Sequence, residues 1–190
     1  MRSGNQHQDR FLELLKPELA RLQGFCQKLS GDPDHGDDLV QDALYDAWKG
    51  FGRLREPTAF RAWLYKVVIN RYRTRLRQCR KQSETTVPLE SDVVDETQAH
   101  LRMVRDRLHI AMAGLSARDR ALVTLHELEG WSYSELVAVF GRSEGALRTQ
   151  LTRCRDRMRE QLRRYLDGKD KGTLKTGAAN TCVVGKYERE

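Results

Sequence analysis

Residues 116–164, SARDRALVTLHELEGWSYSELVAVFGRSEGALRTQLTRCRDRMREQLRR, decide the reading of this chain. They read as a helix, a tight turn around Gly141 and a second, strongly basic amphipathic helix, which is the outline of a helix-turn-helix. Ser132 with Glu135 three residues on forms a capping box, in which hydroxyl and carboxylate each satisfy an orphan amide at a helix start. Leu136 and Phe140 then stand one turn apart on an apolar face. Gly141 supplies the permissive backbone of a sharp turn, and Ser143 is a good cap for the next helix.

From Ser143 onward Leu147, Leu151, Cys154, Met158 and Leu162 recur at helical spacing, so one stripe of the second helix faces a core. Arg148, Thr149, Thr152 and Arg153 fall on the other side near its N-terminus, the end that enters the major groove in this motif. Arginine can bond guanine bidentately, and threonine offers a hydroxyl and a methyl to base edges.

The formal charge of +7 suggests a polyanionic partner, and the distribution of charge sharpens the point. Ten Lys or Arg stand between Gly52 and Lys81 against the single acid Glu56. From Gln82 to Ala99 the sign reverses, with Glu84, Glu90, Asp92, Asp95 and Glu96 and no Lys or Arg. Two basic modules around an acidic, Ser/Thr-containing stretch read as two nucleic-acid-binding domains and a linker. Cys26, Cys79, Cys154 and Cys182 are too scattered for a zinc site or a disulfide framework, so reduced thiols are expected. With no apolar run of membrane-spanning length and a polar N-terminus, a soluble, cytoplasmic protein is expected, without membrane insertion.

In the N-terminal half, Leu12, Leu15, Leu19, Leu22, Cys26 and Leu29 keep a helical period that Pro17 interrupts, and Gly31-Asp32-Pro33 ends the element. A second helix follows, capped by Asp34 or Asp37. Val40, Ala43, Leu44, Ala47 and Trp48 form its buried face, and Asp38, Gln41, Asp42, Tyr45 and Lys49 the opposite one. Asp37, Asp38 and Asp42 sit on one helix without partners elsewhere or a general base, so they read as N-terminal acids or a protein-docking surface, with no metal site and no cofactor. After the loop from Phe51 to Pro57, Thr58 is expected to cap a long third helix with Phe60, Trp63, Leu64, Val67 and Val68 as core. Lys66, Asn70, Arg73, Arg77 and Arg80 make a separate polar stripe with Thr74 beside it, in which cations can hold phosphates while amide and hydroxyl read bases. Phe51, Phe60, Trp63, Tyr65 and Tyr72 are interleaved with this charge as base-stacking candidates, although core packing is the stronger reading for each.

Two blocks of residues carry a family resemblance. The first is DDLVQDALYDAW (37–48), continued by FRAWLYKVVIN (60–70); the second is LSARDR (115–120), ELEGWSYSEL (127–136) and SEGALRTQL (143–151). In this order, around a short acidic linker, they resemble the extracytoplasmic-function group of the sigma-70 family of bacterial RNA polymerase sigma factors. The resemblance implies an all-α fold with a region 2-like domain over 1–82, an acidic flexible linker over 83–103, a region 4-like helix-turn-helix domain over 104–166 and a flexible tail over 167–190.

It also implies a function: binding core RNA polymerase, reading the −35 duplex and stabilising the melted −10 element, with no covalent step and hence no enzyme activity. By the same resemblance Asp38, Leu39, Gln41 and Asp42 dock on the polymerase clamp. The loop Phe51 to Thr58, including Arg53, helps hold a flipped base, and Lys66, Asn70, Arg73, Thr74 and Arg77 face the −10 DNA. Arg148, Thr149, Thr152 and Arg153 read the −35 element, and the linker imitates RNA on its exit path. An anti-sigma protein is a further candidate partner. Arg142 and Gln150 depart from the usual pattern, which leaves the −35 sequence open. A helix-turn-helix regulator, a metal-dependent nuclease and a sigma-like decoy for an anti-sigma protein are the competing readings.

Overall fold

The structure is a computed structural model that describes residues 2–82, 104 and 107–167, and the regular elements among these residues are helical. The predicted linker over 83–103 and the predicted tail, Asp167 apart, lie outside the described residues, as does the Cys182-Val183-Val184 segment.

The first half is built from α1 (Arg2–Leu15), α2 (Leu19–Ser30), α3 (Pro33–Gly50) and α4 (Phe60–Gln82). Pro17 falls in the break between α1 and α2, where its missing donor suits a chain that has left the helix. α2 ends at Gly31, whose φ of 77° lets its N–H close back on the Gln27 carbonyl. Any side chain there would strain the backbone and run into the His109 ring. The cap of α3 is Asp32, which accepts a hydrogen bond from the His35 N–H at 3.0 Å, with Pro33 in the first turn. This corrects the expectation of Asp34 or Asp37: a proline at the first helical position places the cap one residue before it. Short 3₁₀ turns at Phe51–Arg53 and Pro57–Ala59 lead into α4. Thr58, expected as the cap of α4, lies within the second turn, so the chain enters α4 already wound.

The second half comprises α5 (residues 107–113), α6 (Ala117–Val123), a π-helical turn (Thr124–Leu128), α7 (Tyr133–Phe140) and α8 (Glu144–Leu166). Ser116 caps α6 by accepting from the Asp119 N–H at 3.1 Å. The wide π turn closes with the Glu129 N–H on the Thr124 carbonyl, and the Trp131 N–H bonds the Leu125 carbonyl at 3.0 Å. Trp131 is thereby held in the core, only 3% exposed.

The two helical halves pack against each other through one continuous apolar core. Trp131 packs on Tyr65 of α4 with ring centroids 4.6 Å apart. The Arg61 guanidinium lies 4.3 Å over the same indole and reaches Glu18 at 3.4 Å and Glu135 at 2.9 Å. The buried Arg120 donates to the Tyr72 hydroxyl at 2.8 Å, and Lys28 pairs with Glu129. Magnitudes rank these contacts: burying an aromatic side chain contributes on the order of 4 kcal/mol, whereas an exposed ion pair contributes about 0–1. Tyr65 and Trp131 therefore hold the halves together more than Lys28 and Glu129 do.

The aromatics are core residues: Phe51, Phe60, Tyr65 and Tyr72 are buried and Trp63 is half-buried. Trp48, expected inside, is 39% exposed, because His7, Phe11 and the helix itself cover only part of its ring. Cys26 and Cys154 are free and buried, and burial pushes the Cys26 thiol up to about 12. Cys79 is disulfide-bonded, which corrects the expectation that all four thiols are reduced.

Candidate nucleic-acid interface

Gly141 ends α7 in the left-handed region with φ 64°, its N–H closing on Val137, and two residues later Ser143 caps α8 by accepting from the Ala146 N–H. Leu147, Leu151 and Cys154 are buried beneath the helix, with Met158 and Leu162 half-buried further along. Arg148, Thr149, Thr152 and Arg153 all remain exposed on its outer side. The Thr149 hydroxyl donates to the Gly145 carbonyl at 3.0 Å and the Thr152 hydroxyl to the Arg148 carbonyl at 3.2 Å. With their protons so committed, both exposed hydroxyls keep oxygen lone pairs for the donor amines of base edges.

Beside this helix opens a hollow of about 400 Å³ lined by Asp119, Arg142, Thr149, Gln150, Arg153 and Arg157, among others. Its floor is a polar chain in which Arg142 donates to the Gln150 carbonyl at 2.9 Å while the Gln150 amide donates to Asp119. Arg142 and Gln150, the two departures from the family pattern, thus satisfy each other.

On α4, Lys66, Asn70, Arg73, Thr74 and Arg77 are exposed along one stripe, and Arg53 is exposed at the end of the first 3₁₀ turn. Thr74 donates to the Asn70 carbonyl at 3.1 Å. The neighbouring cations point elsewhere: Arg71 pairs with Asp42 and Asp46, and Arg75 with Asp38. Asp37 accepts from Gln23 and Gln27, so each acid of the α3 cluster has an amide or guanidinium partner. Asp38 and Gln41 are exposed and Asp42 half-buried on the outer face of α3. Leu39 is fully buried beneath them, so as a side chain it supports that surface and is not part of it.

The cross-helix partners leave no periodic mark in the sequence. Tyr133 under Arg148, Asp119 under Gln150 and Trp131 under Arg61 join residues whose spacing has no helical or strand period. One signal was present in α4, where apolar residues at Tyr65, Ile69 and Tyr72 extend the buried face well beyond Phe60, Leu64 and Val68.

Two exposed basic faces on an all-helical body, one of them the second helix of a helix-turn-helix, define a DNA-binding protein. Sigma-70 region 2 matches residues 14–82, and Sigma-70, region 4 matches residues 105–158. RNA polymerase sigma factor CarQ of Myxococcus xanthus is 31% identical over 160 residues, which cover 82% of this chain and 90% of that protein. ECF RNA polymerase sigma factor SigM of Mycobacterium tuberculosis is 29% identical over 151 residues, 78% of this chain and 74% of that protein. The sigma factor RpoE from Bartonella quintana, solved in complex with the anti-sigma factor NepR, aligns with a TM-score of 0.59 and 28% identity over 80% of this chain and 96% of that one. The chain belongs to the sigma-70 family of RNA polymerase sigma factors, in its extracytoplasmic-function group. It acts in promoter-specific transcription initiation, with core RNA polymerase and promoter DNA as partners. Sigma factors are not enzymes. Among the described residues no helix is long and apolar enough to cross a membrane.

Proposed function

We propose that the four exposed residues of α8, Arg148, Thr149, Thr152 and Arg153, read the −35 duplex, and that Arg53, Lys66, Asn70, Arg73, Thr74 and Arg77 hold and read the melted −10 strand. Asp38, Gln41 and Asp42, with Leu39 as their buried support, form the polymerase-docking face. The segments divide as 1–82, 83–103, 104–166 and 167–190, with the acidic linker following the RNA path. The chain performs no covalent step and works in the cytoplasm, where an anti-sigma protein is a fitting regulator, as NepR is for its own sigma factor.

The observation that carries this reading is the chemical split between the two faces. The α8 face mixes guanidinium forks with hydroxyls and methyls, which suits duplex edges. The α4 face is a run of cations around one amide, which suits a single strand held by phosphates and sampled at a base. Physically, duplex readout sets position, and capture of unstacked bases offsets the few kcal/mol that unstacking costs.

The test is run-off transcription with core polymerase on a library of −35 variants. Arg148→Ala or Arg153→Ala should cost about 1–3 kcal/mol with altered preference at one position if that guanidinium pairs with a base. Unchanged preference and affinity in both folded variants removes α8 from promoter reading. Tight, specific duplex binding without polymerase would favour a helix-turn-helix regulator instead.

A further inference from the structure

Arg148 carries a long flexible side chain on an exposed helix surface, where nothing in its own helix fixes the guanidinium. Among the described residues its carboxylate neighbour within ion-pair range is Glu144 one turn earlier, at a loose 3.7 Å. The firm contact comes from another helix: the guanidinium carbon lies 4.2 Å over the ring of Tyr133, the first residue of α7. Tyr133 is half-buried and is itself supported, with the His126 ring 4.7 Å from its centroid. His126 in turn is tied through Nδ1 to the Trp131 carbonyl at 2.9 Å, and Trp131 is locked in the core. A chain of contacts therefore runs from the buried indole to the tip of Arg148.

The geometry of stacking gives this chain a use. A guanidinium has its five N–H donors in the plane and its π surface above and below, so a ring against the face leaves the whole donor edge free. A tight ion pair to Glu144 would occupy that same edge. Stacking holds the fork in orientation without consuming the hydrogen bonds that guanine O6 and N7 would take.

We propose that Tyr133 is a positioning residue for promoter readout: it sets the Arg148 fork, and base discrimination at the pair Arg148 reads depends on its ring. This rests on the reading of Arg148 as a base-contacting residue. The aromatic face matters and the phenol oxygen does not, so Tyr133→Phe behaves as wild type, whereas Tyr133→Leu, which keeps apolar volume, loses the effect.

The experiment measures transcription by the full chain with core polymerase on single-base variants of the preferred −35 element, with circular dichroism on each protein. Tyr133→Leu and Tyr133→Ala are expected to reduce discrimination at one base pair by about 2- to 5-fold, the range expected when an exposed cation–π contact is lost. Adding either change to Arg148→Ala should cause no further loss at that pair. If Arg148→Ala loses discrimination while folded Tyr133→Leu retains it, the positioning role is overturned and the base contact stands. If Tyr133→Leu weakens all −35 variants equally, or Tyr133→Phe behaves like Tyr133→Leu, Tyr133 acts in folding or through its hydroxyl and the proposal is overturned. Unchanged discrimination in Arg148→Ala itself defeats the base contact and the positioning role together.

Discussion

Asn70 and Arg77 lie on the same exposed stripe of α4, yet their chemistry assigns them different work. An amide has donors and an acceptor for a base edge, whereas a guanidinium on a single-strand path acts first on phosphate charge. Asn70→Ala should therefore impair promoter opening or shift −10 preference with little change in salt dependence. Arg77→Ala should weaken all promoters alike and lower the salt slope by about one released counterion. Permanganate footprinting over a salt series separates the two, and normal opening by both variants at every salt concentration would reject this stripe as the DNA face. Which residues could read DNA was legible from type and spacing, because exposure on a helix follows its period. What holds them was not, since Tyr133 beneath Arg148 and Asp119 beneath Gln150 are set by how helices cross.

At the scale of elements, local chemistry explains most of what the sequence predicted. The capping box of α7 forms as read: Ser132 accepts from the Glu135 N–H, and the Glu135 carboxylate accepts from the Ser132 N–H at 2.9 Å. These bonds from Ser132, first backbone and then hydroxyl, hold the Glu135 carboxyl below its ordinary 4.5 against a small opposing effect of burial, with Arg61 adding to the depression. A lowered carboxylate pKa stabilises the fold fully above the ordinary value, and that stabilisation is lost as pH falls from 4.5 through the lowered value. Ser132→Ala should destabilise the protein by about 1 kcal/mol near neutrality, and the gap from wild type should narrow on acidification through this window. Urea unfolding across pH checks it, and a gap that widens toward acid would contradict the assignment. The errors at this scale have similarly local causes. Asp32 displaced Asp34 and Asp37 as cap because Pro33 fixes where α3 begins, and Thr58 lost its capping role because Pro57 had already started a 3₁₀ turn.

For the whole molecule, the outer face of α3 and the inner union of the two halves are separate surfaces. Asp38→Arg with Asp42→Arg reverses charge on the first while leaving the core of the second intact. Core polymerase affinity should fall by tenfold or more, on the order of 1.4 kcal/mol. Arg75 would lose Asp38 and Arg71 would lose Asp42, each at 3.1 Å, while Arg71 keeps Asp46, so unfolding must be followed in parallel and Asp38→Asn serves as the milder variant. Native affinity for core polymerase in the folded double variant would remove α3 as the docking face. That two basic modules exist was legible from their charge. That they meet was not, because the meeting depends on Trp131 and Arg61, seventy residues apart in the chain.

The indole between the halves has a consequence for equilibrium. Under the proposed reading, elements labelled −35 and −10 lie about 25 base pairs apart, roughly 85 Å at 3.4 Å per step, while a body of this length has a radius of gyration of only about 15 Å. On that reading both faces can be occupied on one promoter only when Trp131 leaves Tyr65. Apparent affinity for a whole promoter then equals the intrinsic affinity scaled by the fraction of parted molecules. Any partner that holds the halves apart raises promoter affinity by the same factor that the promoter raises its own.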